Sequence, residues 1–333
     1  MTRIAINGLG RIGKLVLRDL IEKDQGEIVL LNDPVGTPDQ HAHLFEFDTV
    51  HGRWDAQISS SDDDVTINGK TIAMRGVWTL DELPLAELGV DVVIDCTGAF
   101  KTAEKIAPYF AAGVKKVVVS APVKEATAAN IVYGVNNDAY TGQNIVTAAS
   151  CTTNCLAPVV KVILEGIGIK HGSMTTIHDV TNTQTIVDRP AKDLRRARSA
   201  LNSLIPTSTG SAKAITQIFP ELTGRLNGHA VRVPLLNASL TDVVFEVERD
   251  TTVEEVNGLF EAAANGPLQG VLGYETRPLV SADYTNDSRS SIIDALSTMV
   301  VNGTQVKIYA WYDNEWGYAC RLGDVARMVM ASI

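Results

Sequence analysis

Ile4-Ala5-Ile6-Asn7-Gly8-Leu9-Gly10-Arg11-Ile12-Gly13 is the stretch whose reading decides the fold. Ile4, Ala5 and Ile6 read as a short buried strand, and Lys14–Glu22 as a helix. Between them lies G-x-G-x-x-G in the strand–turn–helix setting that the motif requires. Gly8 permits the tight turn, Gly10 lets backbone approach a pyrophosphate, and Gly13 lets helix and strand pack closely. The pyrophosphate would rest on N–H groups at the helix start, around Arg11 and Ile12. Glycine-rich turns are common, so a second test is needed: an acid about 20 residues on, at the end of the next strand. Ile28–Leu31 is that strand, and Asp33 follows Asn32. A carboxylate there accepts hydrogen bonds from ribose hydroxyls and repels a 2′-phosphate, which favours NAD over NADP. Asp33 also fits a capping role before Pro34, and Thr37 or an arginine from elsewhere would soften the selectivity.

The strands that follow support the same architecture. Val65–Ile67, Asn68-Gly69 and Thr71–Met74 spell a hairpin with a type I′ turn. Val90–Cys96 is a continuous apolar run, as buried parallel strands are. Lys101–Ala112 reads as a helix, Val117–Ser120 as another buried strand, and Ile145–Ala148 as the last. Alternating strand and helix signals predict a doubly wound parallel (Rossmann) sheet. Ligands bind at the carboxyl ends of such strands.

Composition narrows the function classes. A chain of 333 residues with 45% hydrophobic content can bury two cores. Its net charge of −10 disfavours general binding to nucleic acid or acidic membranes. No run of 18 or more apolar residues predicts a membrane span. Four cysteines do not make a disulfide framework, and a reducing cytoplasm is the expected location. The strand begins directly after Met1-Thr2-Arg3, leaving no room for a signal peptide. No metal site is expected: His41, His43 and the other histidines lack a convincing ligand set, and Asp62-Asp63-Asp64 reads as a solvated turn.

A second stretch carries chemistry. Ser150-Cys151-Thr152-Thr153-Asn154-Cys155 precedes Leu156, Val159, Val160, Ile163 and Leu164 at near-helical spacing. Cys151 is predicted at the first turn of a helix, capped by Ser150 or Thr152. Backbone N–H groups and the positive dipole end would favour its thiolate. Structural cysteines are commonly buried, and Cys155 one turn later fits that plainer role. The string Ser-Cys-Thr-Thr-Asn-Cys-Leu-Ala-Pro is the active-site signature of phosphorylating glyceraldehyde-3-phosphate dehydrogenases. The whole chain resembles that family, from Asn7-Gly8 to Trp316-Gly317.

The resemblance implies a set of roles. His178, at the end of the strand Met174–Ile177, matches the catalytic histidine beside the cysteine; an imidazole there can stabilise a thiolate and shuttle a proton. Arg196 falls in a charged run that resembles the family's S-shaped loop. With Ser150, Thr152, Thr209 and Gly210 it matches the inorganic-phosphate position, whereas Thr181 and Arg232 match the position for the substrate's own phosphate. Arginine offers a planar fork to such oxygens. Arg75 and Ser120 match cofactor contacts, and Asn314, in Asp313-Asn314-Glu315-Trp316-Gly317-Tyr318, matches the contact to the nicotinamide carboxamide. On residues alone, Arg75, Ser120 and Asn314 also suit turn or surface roles, and the arginine run a solvated face.

Strands at Arg232–Pro234, Ser239–Glu248, Ile293–Val301 and Val306–Trp311, with a helix over Thr251–Ala264, suggest an α+β catalytic domain built on a mostly antiparallel or mixed sheet. Leu322, Val325, Ala326 and Val329 mark an amphipathic last helix, which in the family returns to the first domain. The expected division is therefore 1–150 plus 315–333 for NAD and 151–314 for substrate, with thiol and nicotinamide meeting at one crevice. The implied reaction is NAD-dependent oxidation of D-glyceraldehyde 3-phosphate through a Cys151 thioester, with inorganic phosphate as acyl acceptor, in a homotetramer. Asp179-Val180 departs from the small residue and aromatic usual after the histidine. Together with Leu44–Trp54 it resembles a bacterial branch associated with arsenate efflux, where arsenate replaces phosphate. Erythrose-4-phosphate dehydrogenase, a Cys/His hydrolase and a non-catalytic NAD-dependent binding protein are the competing readings.

Overall fold

The computed structural model describes residues 1–333, which fall into two compact units: Met1–Ala149 with Ala319–Ile333, and Ser150–Tyr318.

The first unit runs β1 (Arg3–Asn7), α1 (Arg11–Glu22), β2 (Glu27–Asn32), α2 (Pro38–Glu46), the paired short strands β3 (Phe47–Asp48) and β4 (Gly52–Arg53), β5 (Ile58–Ser60), β6 (Asp64–Ile67), β7 (Lys70–Arg75), β8 (Val92–Asp95), α3 (Ala103–Ala111), β9 (Lys116–Val119), β10 (Ala128–Asn130) and β11 (Ile145–Thr147). Its nine-stranded sheet has the order β10-β11-β9-β8-β1-β2-β7-β6-β5. Pairing is parallel from β10 through to β7 and antiparallel at the β7-β6-β5 edge. The order turns back on itself around β1, which pairs with both β2 and β8 and so sits at the switch point of a doubly wound sheet. Every residue of β8 and β9 is buried, which is why their sequences are continuous rather than alternating. Val93, Val117, Ile106 and Tyr109 form part of one core with Leu30 and Ile145. Asn68 and Gly69, with φ of 49° and 79°, make the two-residue turn between β6 and β7.

The carboxyl ends of β1, β2 and β8 are tied by side chains. Asn7 donates to Tyr109 Oη (2.6 Å), and Tyr109 donates to Asp95 Oδ2 (2.7 Å). Asn32 in turn donates to Asn7 Oδ1 (2.8 Å). This buried network holds the rim from which the glycine turn departs.

The second unit runs α4 (Cys151–Gly166), β12 (Ile169–His178), β13 (Ile205–Ser208), α5 (Ser211–Ile218), β14 (Leu226–Arg232), β15 (Ser239–Val247), α6 (Val253–Ala264), β16 (Leu272–Glu275), β17 (Ser291–Asp294), β18 (Met299–Val301) and β19 (Gln305–Tyr312). The final helix α7 (Trp316–Met330) begins here and continues into the first unit. The sheet order is β13-β14-β12-β15-β19-β17-β16, with β18 on β19. It is mixed: β12/β14 and β16/β17 are parallel, and the other pairs are antiparallel. On β15, Val243, Phe245 and Val247 are fully buried, as their alternation predicts. Thr252 caps α6 by accepting from the Glu255 N–H.

Two expected strands are revised. Ile293–Val301 is not continuous: a short 3-10 turn at Ala295–Ser297 separates β17 from β18. The strand expected at Arg232–Pro234 ends instead at Arg232 and starts upstream at Leu226, where Asn227, Gly228 and His229 are held by β12, with β13 joining on the other side from His229. Neighbouring strands override the weak β propensity of those three residues.

Candidate active site

Helix α4 starts at Cys151 because Ser150 adopts extended backbone and its Oγ accepts from the Thr153 N–H (3.2 Å). Cys151 is thus the first helical residue and is partly exposed. Its Sγ lies 3.7 Å from His178 Nε2. The histidine arrives from β12, whose parallel register sets it opposite Arg232 on β14. Arg232 Nη1 donates to the Asp179 carbonyl oxygen (3.0 Å) and stands 2.6 Å from His178 Nδ1. Arg232 Nε is buried with no hydrogen-bond partner. The His178 ring meets the Tyr312 ring edge-on, with centroids 6.0 Å apart. Tyr312 Oη bonds the buried hydroxyls of Thr152 (3.0 Å) and Thr176 (2.8 Å).

Electrostatics separate the two cysteines of α4. Burial pushes the Cys151 thiol up, but the His178 imidazole, and after it Arg232, outweigh burial, so the thiol ends below its ordinary value. Burial pulls His178 down, yet the Asp179 carboxylate and the Cys151 sulfur raise it to about 9. These directions describe a thiolate–imidazolium pair. Cys155 has no such partner: its sulfur lies 3.6 Å from Ser291 Oγ and 3.7 Å from the Ala310 carbonyl, and burial pushes it up to about 12. One turn of helix thus divides a reactive thiol from an inert one.

The oxyanion-binding residues named from the sequence are partly assembled. Ser150 Oγ is 3.3 Å from Ser211 Oγ, which brings the start of α4 beside the start of α5. Gly210 caps α5 with no side-chain bond, and a Cβ there would meet nothing within 4 Å. Thr209 Oγ1 accepts from the Ser211 N–H (3.2 Å). The guanidinium of Arg196 is bonded through Nε and Nη2 to Thr207 Oγ1 (3.0 and 2.8 Å), beside Asp193. Thr152 has its hydroxyl on Tyr312. Thr181 bonds Thr183 and Gln184 and makes no bond to Arg232.

In the first unit the glycine turn has the close fits that the motif predicts. Gly8 has φ +92°, and a Cβ there would stand 2.7 Å from the Cys96 carbonyl carbon. A Cβ at Gly13 would stand 1.8 Å from the Gly8 carbonyl oxygen. A Cβ at Gly10 would meet nothing within 4 Å, so the approach to the start of α1 is open, and α1 has no side-chain cap. These features fit a dinucleotide pyrophosphate. Asp33 accepts from the Leu9 N–H (2.7 Å) and the Val35 N–H (3.0 Å), so it braces the glycine turn as well as its own. Arg11 forms a two-pronged pair with Asp48. Arg75, paired in register with Asn32, donates to the Met74 carbonyl oxygen (2.7 Å). The Ser120 N–H donates to the Asp95 carbonyl oxygen (2.9 Å). In the second unit, Asn314 Oδ1 accepts from Ser239 Oγ (3.1 Å).

Sequence reasoning missed Asp179 and Tyr312 as parts of this site. Asp179 is fully buried, with Oδ1 2.7 Å from His178 Nδ1. Adjacent residues of a strand point to opposite faces, so neither pattern nor spacing suggests the contact; it forms because β12 ends at His178. Tyr312 lies one residue beyond the strand expected at Val306–Trp311, and the sequence assigned it no role.

Comparison with known proteins identifies the family. The model described as "Glyceraldehyde 3-phosphate dehydrogenase, NAD binding domain" matches residues 2–103. The corresponding C-terminal domain model matches residues 150–314. The chain is 59% identical over 334 residues to glyceraldehyde-3-phosphate dehydrogenase 3 of a Nostoc species, covering 99% of both chains. It is 49% identical over 328 residues to glyceraldehyde-3-phosphate dehydrogenase 1 of Bacillus cereus, and 48% identical over 329 residues to glyceraldehyde-3-phosphate dehydrogenase of Geobacillus stearothermophilus, covering 98% of each chain in both cases. A helix-borne thiol paired with an imidazole, a glycine turn shaped for a dinucleotide and full-length kinship lead to one conclusion: the chain belongs to the glyceraldehyde-3-phosphate dehydrogenase family, as an NAD-dependent enzyme.

Proposed function

We propose that this enzyme oxidises D-glyceraldehyde 3-phosphate through a thioester on Cys151 and transfers the acyl group to an inorganic tetrahedral oxyanion. The observation that carries this reading is the 3.7 Å approach of His178 Nε2 to the Cys151 sulfur at the start of α4. The buried, unpartnered Nε of Arg232 supports an anionic group on the substrate beside them. The first unit would hold NAD on Gly8, Gly10, Gly13, Asp33 and the N–H groups of Arg11 and Ile12, with Arg75 and Ser120 nearby; the second would hold the aldehyde.

The Cys151 thiolate attacks the aldehyde carbon, and the His178 imidazolium gives its proton to the oxygen. Bound NAD supplies the acceptor for the hydride that then leaves the substrate carbon. His178, now neutral, takes the hydroxyl proton back through Nε2 as the hydride departs, and a thioester remains on Cys151. Hydrogenphosphate near Ser150, Arg196, Thr209 and Gly210 attacks that carbonyl, its proton passing to solvent. The C–S bond breaks, the thiolate returns to its imidazolium partner, and 1,3-bisphosphoglycerate forms. Arsenate has nearly the same shape and charge, so the same groups admit it and yield 1-arseno-3-phosphoglycerate. The Asp179-Val180 pair, read with Leu44–Trp54, is what aligns this chain with the arsenate branch.

Ile186, Val187, Leu194, Leu201 and Leu204 are large, exposed apolar side chains on one loop. They support burial of that loop between subunits, as in a homotetramer. No helix is long and apolar enough to cross a membrane.

The test follows NADH formation from glyceraldehyde 3-phosphate with no anion, with phosphate and with arsenate. Turnover that depends on the anion, and that disappears in Cys151→Ser while NAD still binds, is expected. A higher kcat/KM for erythrose 4-phosphate without dependence on the anion would replace this reading.

A further inference from the structure

We propose that Asp179 is the positioning residue of the site: its carboxylate holds a hydrogen on His178 Nδ1, so that Nε2 faces the Cys151 sulfur and the imidazolium is retained. The inference rests on the reading of Cys151 and His178 as nucleophile and proton carrier.

The geometry is that of a three-membered line. Asp179 Oδ1 is 2.7 Å from Nδ1 on one side of the ring, and the sulfur is 3.7 Å from Nε2 on the other. Asp179 is anchored through its backbone. Its N–H donates to Ser239 Oγ (3.2 Å), and Ser239 donates to Asn314 Oδ1 (3.1 Å). The carboxylate is 0% exposed, so water does not stabilise its charge. Its neighbours are His178, the Asn314 amide and, with like charge, Glu315.

Three groups surround Nδ1. Arg232 Nη1 lies 2.6 Å away and would donate to a bare Nδ1, whereas the Asp179 carboxylate oxygen at 2.7 Å and the Asp179 carbonyl oxygen at 3.0 Å would each accept from Nδ1–H. Arg232 has a second acceptor in the Asp179 carbonyl oxygen (3.0 Å), so it gives up little by leaving the ring nitrogen. The carboxylate has no comparable substitute, and an unprotonated Nδ1 would face it lone pair to lone pair. The hydrogen therefore resides on Nδ1. The other groups facing His178 are the Cys151 sulfur from α4 and the Tyr312 ring from β19. Asp179 and the sulfur raise the imidazole, against burial and Arg232, to about 9.

A carboxylate that fixes a histidine in this way is distinguishable from a merely structural acid. The experiment records the side-chain 15N signals of His178 across pH in the full-length protein, assigned by their loss in His178→Asn. Wild type, Asp179→Asn and Asp179→Ser are compared, and NAD titration certifies that each variant is folded. Asparagine can still accept from Nδ1–H but carries no charge; serine at this position does not reach. Asp179→Asn is expected to keep the Nδ1–H tautomer and lower the His178 pKa by about 1 unit or more, as loss of an adjacent opposite charge does. Asp179→Ser leaves the backbone carbonyl oxygen as an acceptor for Nδ1–H and removes the charge, so it is expected to lower the His178 pKa at least as far as Asp179→Asn does. In both variants kcat should fall roughly 10- to 100-fold with little change in the aldehyde KM, the scale found for partners that orient a functional histidine. Identical His178 titrations in wild type and both variants would overturn the proposal. Retained turnover in Cys151→Ser would overturn the underlying reading instead.

Discussion

Replacing Arg232 by methionine separates the two things its guanidinium touches. Methionine keeps much of the apolar stem and removes the charge and the donors. Nη1 is already bonded to the Asp179 carbonyl oxygen beside the His178 ring, so the part left for substrate is the edge carrying Nε, which has no protein partner. A phosphate on that edge would gain one or two charge-assisted hydrogen bonds of about 1.5–3 kcal/mol each. A central value of about 4 kcal/mol corresponds to roughly a 1,000-fold loss in kcat/KM for glyceraldehyde 3-phosphate. Unphosphorylated glyceraldehyde has nothing to place there, and its kcat/KM should fall far less, by the share of Arg232 in favouring the Cys151 thiolate. Removing the arginine also raises His178 further, because the guanidinium charge now holds it down. Both enzymes are therefore assayed at pH 8, where His178 is largely protonated in each. The assay is the initial rate of NADH formation with the two aldehydes. Equal fold losses for both would mean that Arg232 acts through His178 rather than on a phosphate, and would refute the reasoning.

Other consequences can be checked directly. Gly13→Ala puts a carbon 1.8 Å from the Gly8 carbonyl oxygen. Overpacking of this kind should cost about 1–3 kcal/mol and weaken NAD binding, read by thermal melts and cofactor titration; an unchanged Tm and affinity would contradict the close fit. Tyr312→Phe leaves the buried hydroxyls of Thr152 and Thr176 without their shared partner. It should destabilise the protein by about 1–3 kcal/mol in denaturant unfolding, and a wild-type midpoint and slope would argue against that bridge. Near neutral pH, iodoacetamide should label Cys151 and spare Cys155, by peptide mass mapping, because one thiol lies below its ordinary value and the other is pushed up to about 12. In His178→Asn, labelling of Cys151 should slow at neutral pH and recover as pH rises, since the group that favours its thiolate is gone; a pH profile equal to wild type would count against the pair.

The legible parts of this chain are those where one residue type has one local reason to be there. Gly8 and Gly13 leave space that only glycine leaves, so strand, turn and helix at the start follow from spacing. Asn68-Gly69 needs positive φ twice and so spells its hairpin. Ser150 announces a helix start, and that start is the reason Cys151 differs from Cys155. Less legible is whatever depends on partners far along the chain. Asn227, Gly228 and His229 have little tendency to extend alone, and the strands beside them impose it. The break at Ala295–Ser297 is flanked by Asp294 and Thr298, polar residues that suit the outward face of a strand as readily as a turn. Asp179 is the clearest case: only the end of β12 lets neighbouring side chains meet, and that end is set by the sheet. The residues expected to bind phosphate came from family resemblance, because threonines and arginines in polar loops have too many ordinary uses.

The discontinuity of the first unit has a consequence for biosynthesis. Its second segment, Ala319–Ile333, is translated only after the whole of the second unit. Gly323 lies so close to Asp19 on α1 that a side chain would strike the carboxylate, so two pieces separated in sequence by the whole second unit must find each other. Until then Leu322, Val325, Ala326 and Val329 stay wet or inside the exit tunnel, and the nucleotide half waits as an incomplete nascent body. The catalytic half is one contiguous stretch and suffers no such delay. The half whose translation begins first is thus the half completed last.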